Sequence, residues 1–227
     1  MASNNRREAA EGHPAGFTLV ELIVTLVLIG ILAAISLPAL NGAIDRADAR
    51  STARGVANQL RLARNLAMSR GEVMLTEIKP GTERGQVTVY RTEIPTASGT
   101  TPATDCVTAD RAKNNASERS QVGSPVEVSQ LSGDMKMALP GGAANQWLCF
   151  SPDGRILNTD GQVIYDSQCT GKNFRLFVSY LDQPKIKSIH TKCPTSQTEH
   201  QKQRDQRSLD HFWTVEAPYN GAIRASQ

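Results

Sequence analysis

A single carboxylate stands in a stretch that otherwise has no use for one. From Phe17 to Leu40 the chain reads FTLVELIVTLVLIGILAAISLPAL, and Glu21 is the only ionisable side chain in it. A charged group inside a bilayer costs roughly 2.5–3.5 kcal/mol on insertion scales, so Glu21 calls for a cationic partner. The other reactive side chains are four cysteines, Cys106, Cys149, Cys169 and Cys193. None forms a CxxC pair and no histidine lies at zinc-like spacing, so no metal site is expected. In an oxidising compartment they are candidate disulfide partners. Four cysteines permit three full pairings, and the sequence does not choose among them. Catalytic patterns are missing: there is no G-x-S-x-G, P-loop, H-E-x-x-H or Rossmann glycine run. His13 precedes the apolar run, and His190, His200 and His211 sit in a polar C-terminal region. Neither an enzyme nor a cofactor is expected. An exported enzyme on a plain anchor is the weaker alternative and would need a pocket with convergent polar groups.

The element that positions Glu21 is set by hydrophobicity. A run of about 20 apolar residues at 1.5 Å per residue spans a bilayer core of about 30 Å. Arg6 and Arg7 precede it, which by the positive-inside rule puts the N-terminus in the cytoplasm and the rest outside the inner membrane. A secretory signal peptide would be cut after its apolar region, and this run is too long with a poor exit at AAISLPAL. An ordinary single-span anchor leaves Glu21 unexplained, and a buried soluble helix does not suit the length. Mean hydropathy over the whole chain is −0.35, so most of the remainder is soluble. The net charge of +3 over 227 residues implies no strong global field for nucleic acid. An aromatic content of 5% argues against a stacking platform for single strands.

The run G-F-T-L-V-E, Gly16 to Glu21, closely resembles the type IV prepilin processing site. The resemblance implies that a prepilin peptidase cuts after Gly16 on the cytoplasmic side and that Phe17 becomes the N-methylated first residue. It implies that Glu21 pairs with the Phe17 amine of a neighbouring subunit in the filament core, where a lone carboxylate would be unfavourable. It also makes Pro38 a helix-bending proline. The chain then divides into a cytoplasmic leader (1–16), a transmembrane and filament-core helix (17–40), an amphipathic continuation (41–71) and a periplasmic β-rich domain (72–227).

The continuation is read from its spacing. Ala43, Ile44, Ala47, Val56, Leu60, Ala63, Leu66 and Ala67 recur mostly at steps of three and four, with one wider gap, and predict a stripe lying on a sheet. Arg46, Arg50, Arg54, Arg61, Arg64 and Arg70 fall between them as a solvated face, with a filament-groove contact as the functional alternative. Gly71 marks the helix end. Strands are expected at 73–78, 86–90, 126–128, 135–139, 147–150, 162–165, 174–181 and 211–215, with an edge strand at 184–190 and a last short strand after Asn220. Residues 95–125 read as a long surface insertion, flexible unless Cys106 ties it down.

A long helix followed by strands containing F-S-P-D-G-R, Phe150 to Arg155, is similar to the GspH/FimT family of minor pilins and pseudopilins. The resemblance implies an α+β, pilin-like fold: a long N-terminal helix, transmembrane in its first half, packed on an antiparallel sheet domain. It implies a minor pseudopilin of a type II secretion system, with other pilins or pseudopilins, prepilin peptidase and the inner membrane as partners. The alternative is a minor type IV pilin acting in pilus assembly or DNA uptake. Nucleic acid is the less favoured partner. The stretch after Gly171 is basic, but the G-R-x-R pattern of some FimT-like DNA binders is incomplete in Gly221-Ala222-Ile223-Arg224, which lacks the first arginine.

Overall fold

A computed structural model describes residues 17–81, 85–128, 135–139, 145–164, 173–179, 198 and 213–226; the side chains of 35–42, Asp45 and Asn173 also lie outside that description. The chain forms two compact units, Met1–Ala43 and Ile44–Gln227. Helix α1 (Leu19–Arg70) runs through both. The helix ends where expected. Gly71 takes a positive φ of 67° and its N–H reaches the Ala67 carbonyl at 3.0 Å, a closure open to glycine at little cost.

In the second unit, Ala49, Ala53, Val56, Ala57, Leu60, Ala63 and Ala67 are fully buried. This corrects the predicted stripe before Val56. Ala43 and Ala47 are exposed and Ile44 is 50% exposed, while Ala49 and Ala53 fill the apparent gap. Spacing does not separate the two sets, because small residues are common on both faces of a helix. Leu66 is only partly buried.

The main sheet is built from β1 (Met74–Lys79), β2 (Gln86–Thr92), β5 (Arg119–Gln121), β6 (Val126–Glu127), β8 (Gln146–Phe150) and β9 (Ile156–Leu157). Its order is β5-β2-β1-β8-β9, with β6 also on β2. β1 is central and antiparallel to both neighbours, with Leu75 opposite Tyr90 and Cys149. Alternation sorts the side chains. Met74, Ile78, Val87, Val89, Leu148 and Phe150 join the helix alanines in the core, while Val73, Leu75 and Cys149 belong to a second cluster.

A second antiparallel sheet has the order β12-β11-β10-β7: β7 (Lys136–Ala138), β10 (Asn173–Ser179), β11 (Trp213–Pro218) and β12 (Arg224–Ser226). Phe174, Leu176, Val178, Val215 and Ala217 add to the helix-side core. The α+β class is therefore observed directly. Of the expected 162–165 strand the described residues 162–164 form an isolated bridge between Leu157 and Val163, while residue 165 and the 184–190 strand lie outside the described residues.

The insertion is tied down at Cys106, the condition set for its order, through a bond to Cys149. It folds as hairpin β3–β4 (Ile94–Thr96, Gly99–Thr101), helix α2 (Cys106–Asn114) and a short 3-10 turn, Ala116–Glu118. Asp105 caps α2 by accepting from the Thr108 N–H at 2.8 Å. The other end is closed by Arg119, which donates to the Ala112 and Lys113 carbonyls. Its guanidinium lies 4.9 Å from the ring centres of both Tyr90 and Trp147. Ala103, Cys106, Ala109 and Ala112 pack with Val73, Leu75, Cys149 and Leu157. A composition poor in large apolar residues hid this, because small alanines and one cysteine suffice when a sheet face already supplies the bulk.

Candidate processing and assembly segment

Phe17 and Thr18 precede the helix and are not helical. Phe17 is 82% exposed. Thr18 makes the bonds of an N-cap: its hydroxyl oxygen accepts the Glu21 N–H at 3.2 Å and its carbonyl accepts the Leu22 N–H at 3.2 Å. Glu21 therefore sits in the first turn, where the partial positive charge of the helix end favours a carboxylate. T-x-x-E, Thr18 to Glu21, is a capping signature that the sequence reading passed over because the apolar run dominated it. Leu19, Val20, Leu22, Ile23, Val24, Leu26, Val27, Leu28, Ile29, Ile31 and Leu32 are all exposed. Such a surface on every side of a helix has no cover of its own and is suited to lipid or to other helices.

Among the described residues no helix is long and apolar enough to cross a membrane. The apolar side chains described in α1 cover residues 19–34, about 24 Å of helix, and the sequence stays apolar to Leu40. Gly16 lies outside the described residues, and Pro38 is placed only as helical backbone.

The domain brings together residues whose roles the sequence left open. Cys106 is bonded to Cys149, with 5.8 Å between their Cα atoms, and joins α2 to β8. Cys169, Cys193, His190, His200 and His211 lie outside the described residues. Phe150–Arg155 is a tight turn. The Gly154 N–H reaches the Ser151 carbonyl at 2.8 Å, the Ser151 N–H reaches the Arg155 carbonyl at 3.0 Å, and Gly154 adopts a φ of 80°. Asp153 accepts from the Ser151 hydroxyl and pairs with Arg155. Burial raises the Asp153 carboxyl's pKa, but the bonds from Ser151 and Arg155 outweigh it and the net shift is downward.

Two helix arginines correct the solvated-face reading. Arg64 donates to the carbonyls of Gly154 (2.6 Å), Tyr219 (3.2 Å) and Gly221, and burial lowers its pKa. Arg61 donates to the Ile223 carbonyl at 2.7 and 3.2 Å. Arg64 pins both the turn and the C-terminal segment onto α1, and Arg61 pins the segment alone. A planar fork with several donors suits such clustered carbonyls. Arg155 extends the junction, donating to the Tyr219 hydroxyl at 3.0 Å.

Among the described residues no cluster of His, Cys, Asp or Glu could hold a metal ion. A shallow cavity of about 250 Å³, lined by Glu216, Pro218, Gly221, Ala222 and Arg224, contains no nucleophile with an adjacent base.

None of the curated protein sequences is similar to this chain. Among solved structures it is similar to the minor pseudopilin EpsH of the type 2 secretion system of Vibrio cholerae, at 16% identity, covering 79% of this chain and 96% of that one, with a TM-score of 0.37. A likeness of that size does not identify a shared fold. Residues 13–37 match the prokaryotic N-terminal methylation motif, which spans Gly16, Phe17, Glu21 and the helix start.

Proposed function

We propose that this chain is a type IV pilin-like subunit, cut after Gly16 by a prepilin peptidase, N-methylated on Phe17 and assembled through α1. The observation that carries the reading is the methylation motif over residues 13–37. The exposed apolar surface of α1 and the α+β domain that follows agree with it. Its mechanism is assembly rather than catalysis. Apolar side chains pack against neighbouring helices, and Glu21 sets axial register by pairing with the Phe17 amine of an adjacent copy or homologous subunit. A subunit that keeps Glu21 is one with another above it. Before assembly the subunit is held in the inner membrane by residues 17–40, with the leader cytoplasmic and residues 72–227 periplasmic.

The finer reading is a minor pseudopilin of a type II secretion pseudopilus, supporting export across the outer membrane. The turn at Phe150–Arg155 resembles that of the GspH/FimT family, which holds both pseudopilins and pilins, so it supports a minor subunit of either kind. A minor type IV pilin in pilus assembly or DNA uptake is the alternative, because the methylation motif serves both. The mass of the mature N-terminus tests the common part: loss of residues 1–16 and one added methyl group are expected, and an intact Met1 or loss of the whole apolar run defeats it. Deleting the gene separates the two finer readings. Secreted enzymes retained in the periplasm support the first, and lost pili or lost DNA uptake with normal secretion support the second.

A further inference from the structure

We propose that Thr18 is a positioning residue for processing: by capping α1 it holds Phe17, whose nitrogen is released by the cut, outside the helix. The inference rests on the processing proposed above. In the described structure Phe17 and Thr18 are non-helical and the helix begins at Leu19. The Thr18 hydroxyl takes the Glu21 N–H and its carbonyl takes the Leu22 N–H, so the first turn closes at Thr18 and not before it. Cleavage adds water across the Gly16–Phe17 bond, leaving a Gly16 carboxylate and a Phe17 amine. A peptide bond inside a helix has its carbonyl committed to the N–H four residues on and its faces shielded by neighbouring turns, so a hydrolase must first free it.

The upstream sequence does not stop the helix by itself. Pro14 is tolerated at a first helical position, and a helix starting there would take Gly16 and Phe17 into its first turn. Gly16 opposes that extension through its backbone entropy, and the Thr18 cap opposes it by favouring a later start.

The test uses the full-length precursor in membranes with a prepilin peptidase, following loss of the leader by mass over time. Thr18→Val keeps the branched shape and removes the cap; Thr18→Ser restores it. Loss of the cap lets the helix extend, which predicts roughly fivefold slower cleavage for Thr18→Val, wild-type rates for Thr18→Ser and slower amide exchange at Val20, whose N–H an extended helix would bond to the Gly16 carbonyl, in the uncut Thr18→Val protein. Cleavage of Thr18→Val at the wild-type rate overturns the inference. So does slow cleavage with unchanged Val20 exchange, which would mean that the peptidase reads the side chain itself. Failure of the wild-type chain to be cut would defeat the processing reading instead, and the two failures are distinguishable.

Discussion

At Glu21 the energetics of assembly come down to one polar group. Exposed apolar side chains such as Leu26 and Ile29 gain little by leaving lipid for a filament, because lipid tails are as apolar as leucine. Register must then come from a pair that lipid cannot supply. We expect Glu21→Val to leave insertion and leader removal intact while lowering incorporation into filaments at least about tenfold, as the loss of a low-dielectric charge pair predicts. Crosslinking to neighbouring subunits measures it, and unchanged incorporation would remove the pair from the mechanism. Arg64 is the second decisive residue. Its removal leaves the Gly154 and Gly221 carbonyls without this donor, while the Tyr219 carbonyl keeps the Ile156 N–H. Because these groups are only part-buried and regain some water, the expected loss is about 1–2 kcal/mol for Arg64→Ala. Arg64→Lys should recover only part of it, since an ammonium cannot serve all of those oxygens as a fork does. Urea unfolding of residues 45–227 decides between them.

The excursion between β2 and β6 is the element whose stability depends on a covalent bond. Helix α2 packs through alanines and Cys106, so its apolar contact is thin and the bond to Cys149 supplies the missing constraint. The joined cysteines are 43 residues apart, a separation for which cross-linking stabilises by about 2–4 kcal/mol. Replacing both by serine should lower the unfolding free energy of the domain by that order. It should also raise proteolysis within 94–121 before the rest of the domain is cut. If protease sensitivity rises uniformly along the domain, α2 is not a separately tethered element.

For the whole molecule, the pH dependence follows from which groups are shifted. Bonds from Thr108 lower the Asp105 carboxyl, bonds from Lys113 and Thr159 lower Asp110, and Asp153 is also lowered on balance. A carboxyl held below its ordinary 3.8 in the native state contributes stability that is present above that value and lost as pH falls through the native one. Tyr90 is raised by burial and then by Glu77, so its contribution is present below 10 and lost as pH rises through the native value. The melting temperature of residues 45–227 should be level between about pH 5 and 9, then fall below about 4 and above about 10. Asp105→Asn keeps a capping oxygen and should soften the acid limb; an unchanged limb would assign it to other groups. Orientation is also a whole-molecule matter. Arg6 and Arg7 precede the apolar run, but Arg46, Arg50 and Arg54 follow it closely, so the charge count does not favour a cytoplasmic N-terminus. That placement rests on the processing site.

Local pattern was enough for the elements that obey one physical rule over a short stretch. The apolar run, the stop at Gly71 and the strands expected at 73–78 and 86–90 were readable, because hydrophobicity, glycine's freedom and alternation act between near neighbours. The choice of Cys149 for Cys106, the order within 94–121, the burial of Ala49 and Ala53 and the carbonyls awaiting Arg61 and Arg64 were not readable. Each depends on a surface assembled from distant parts of the chain: Arg64 meets Tyr219 across 155 positions and Arg61 meets Ile223 across 162. An arginine on a helix looks the same in sequence whether it faces water or a ring of carbonyls, and only packing decides which it meets.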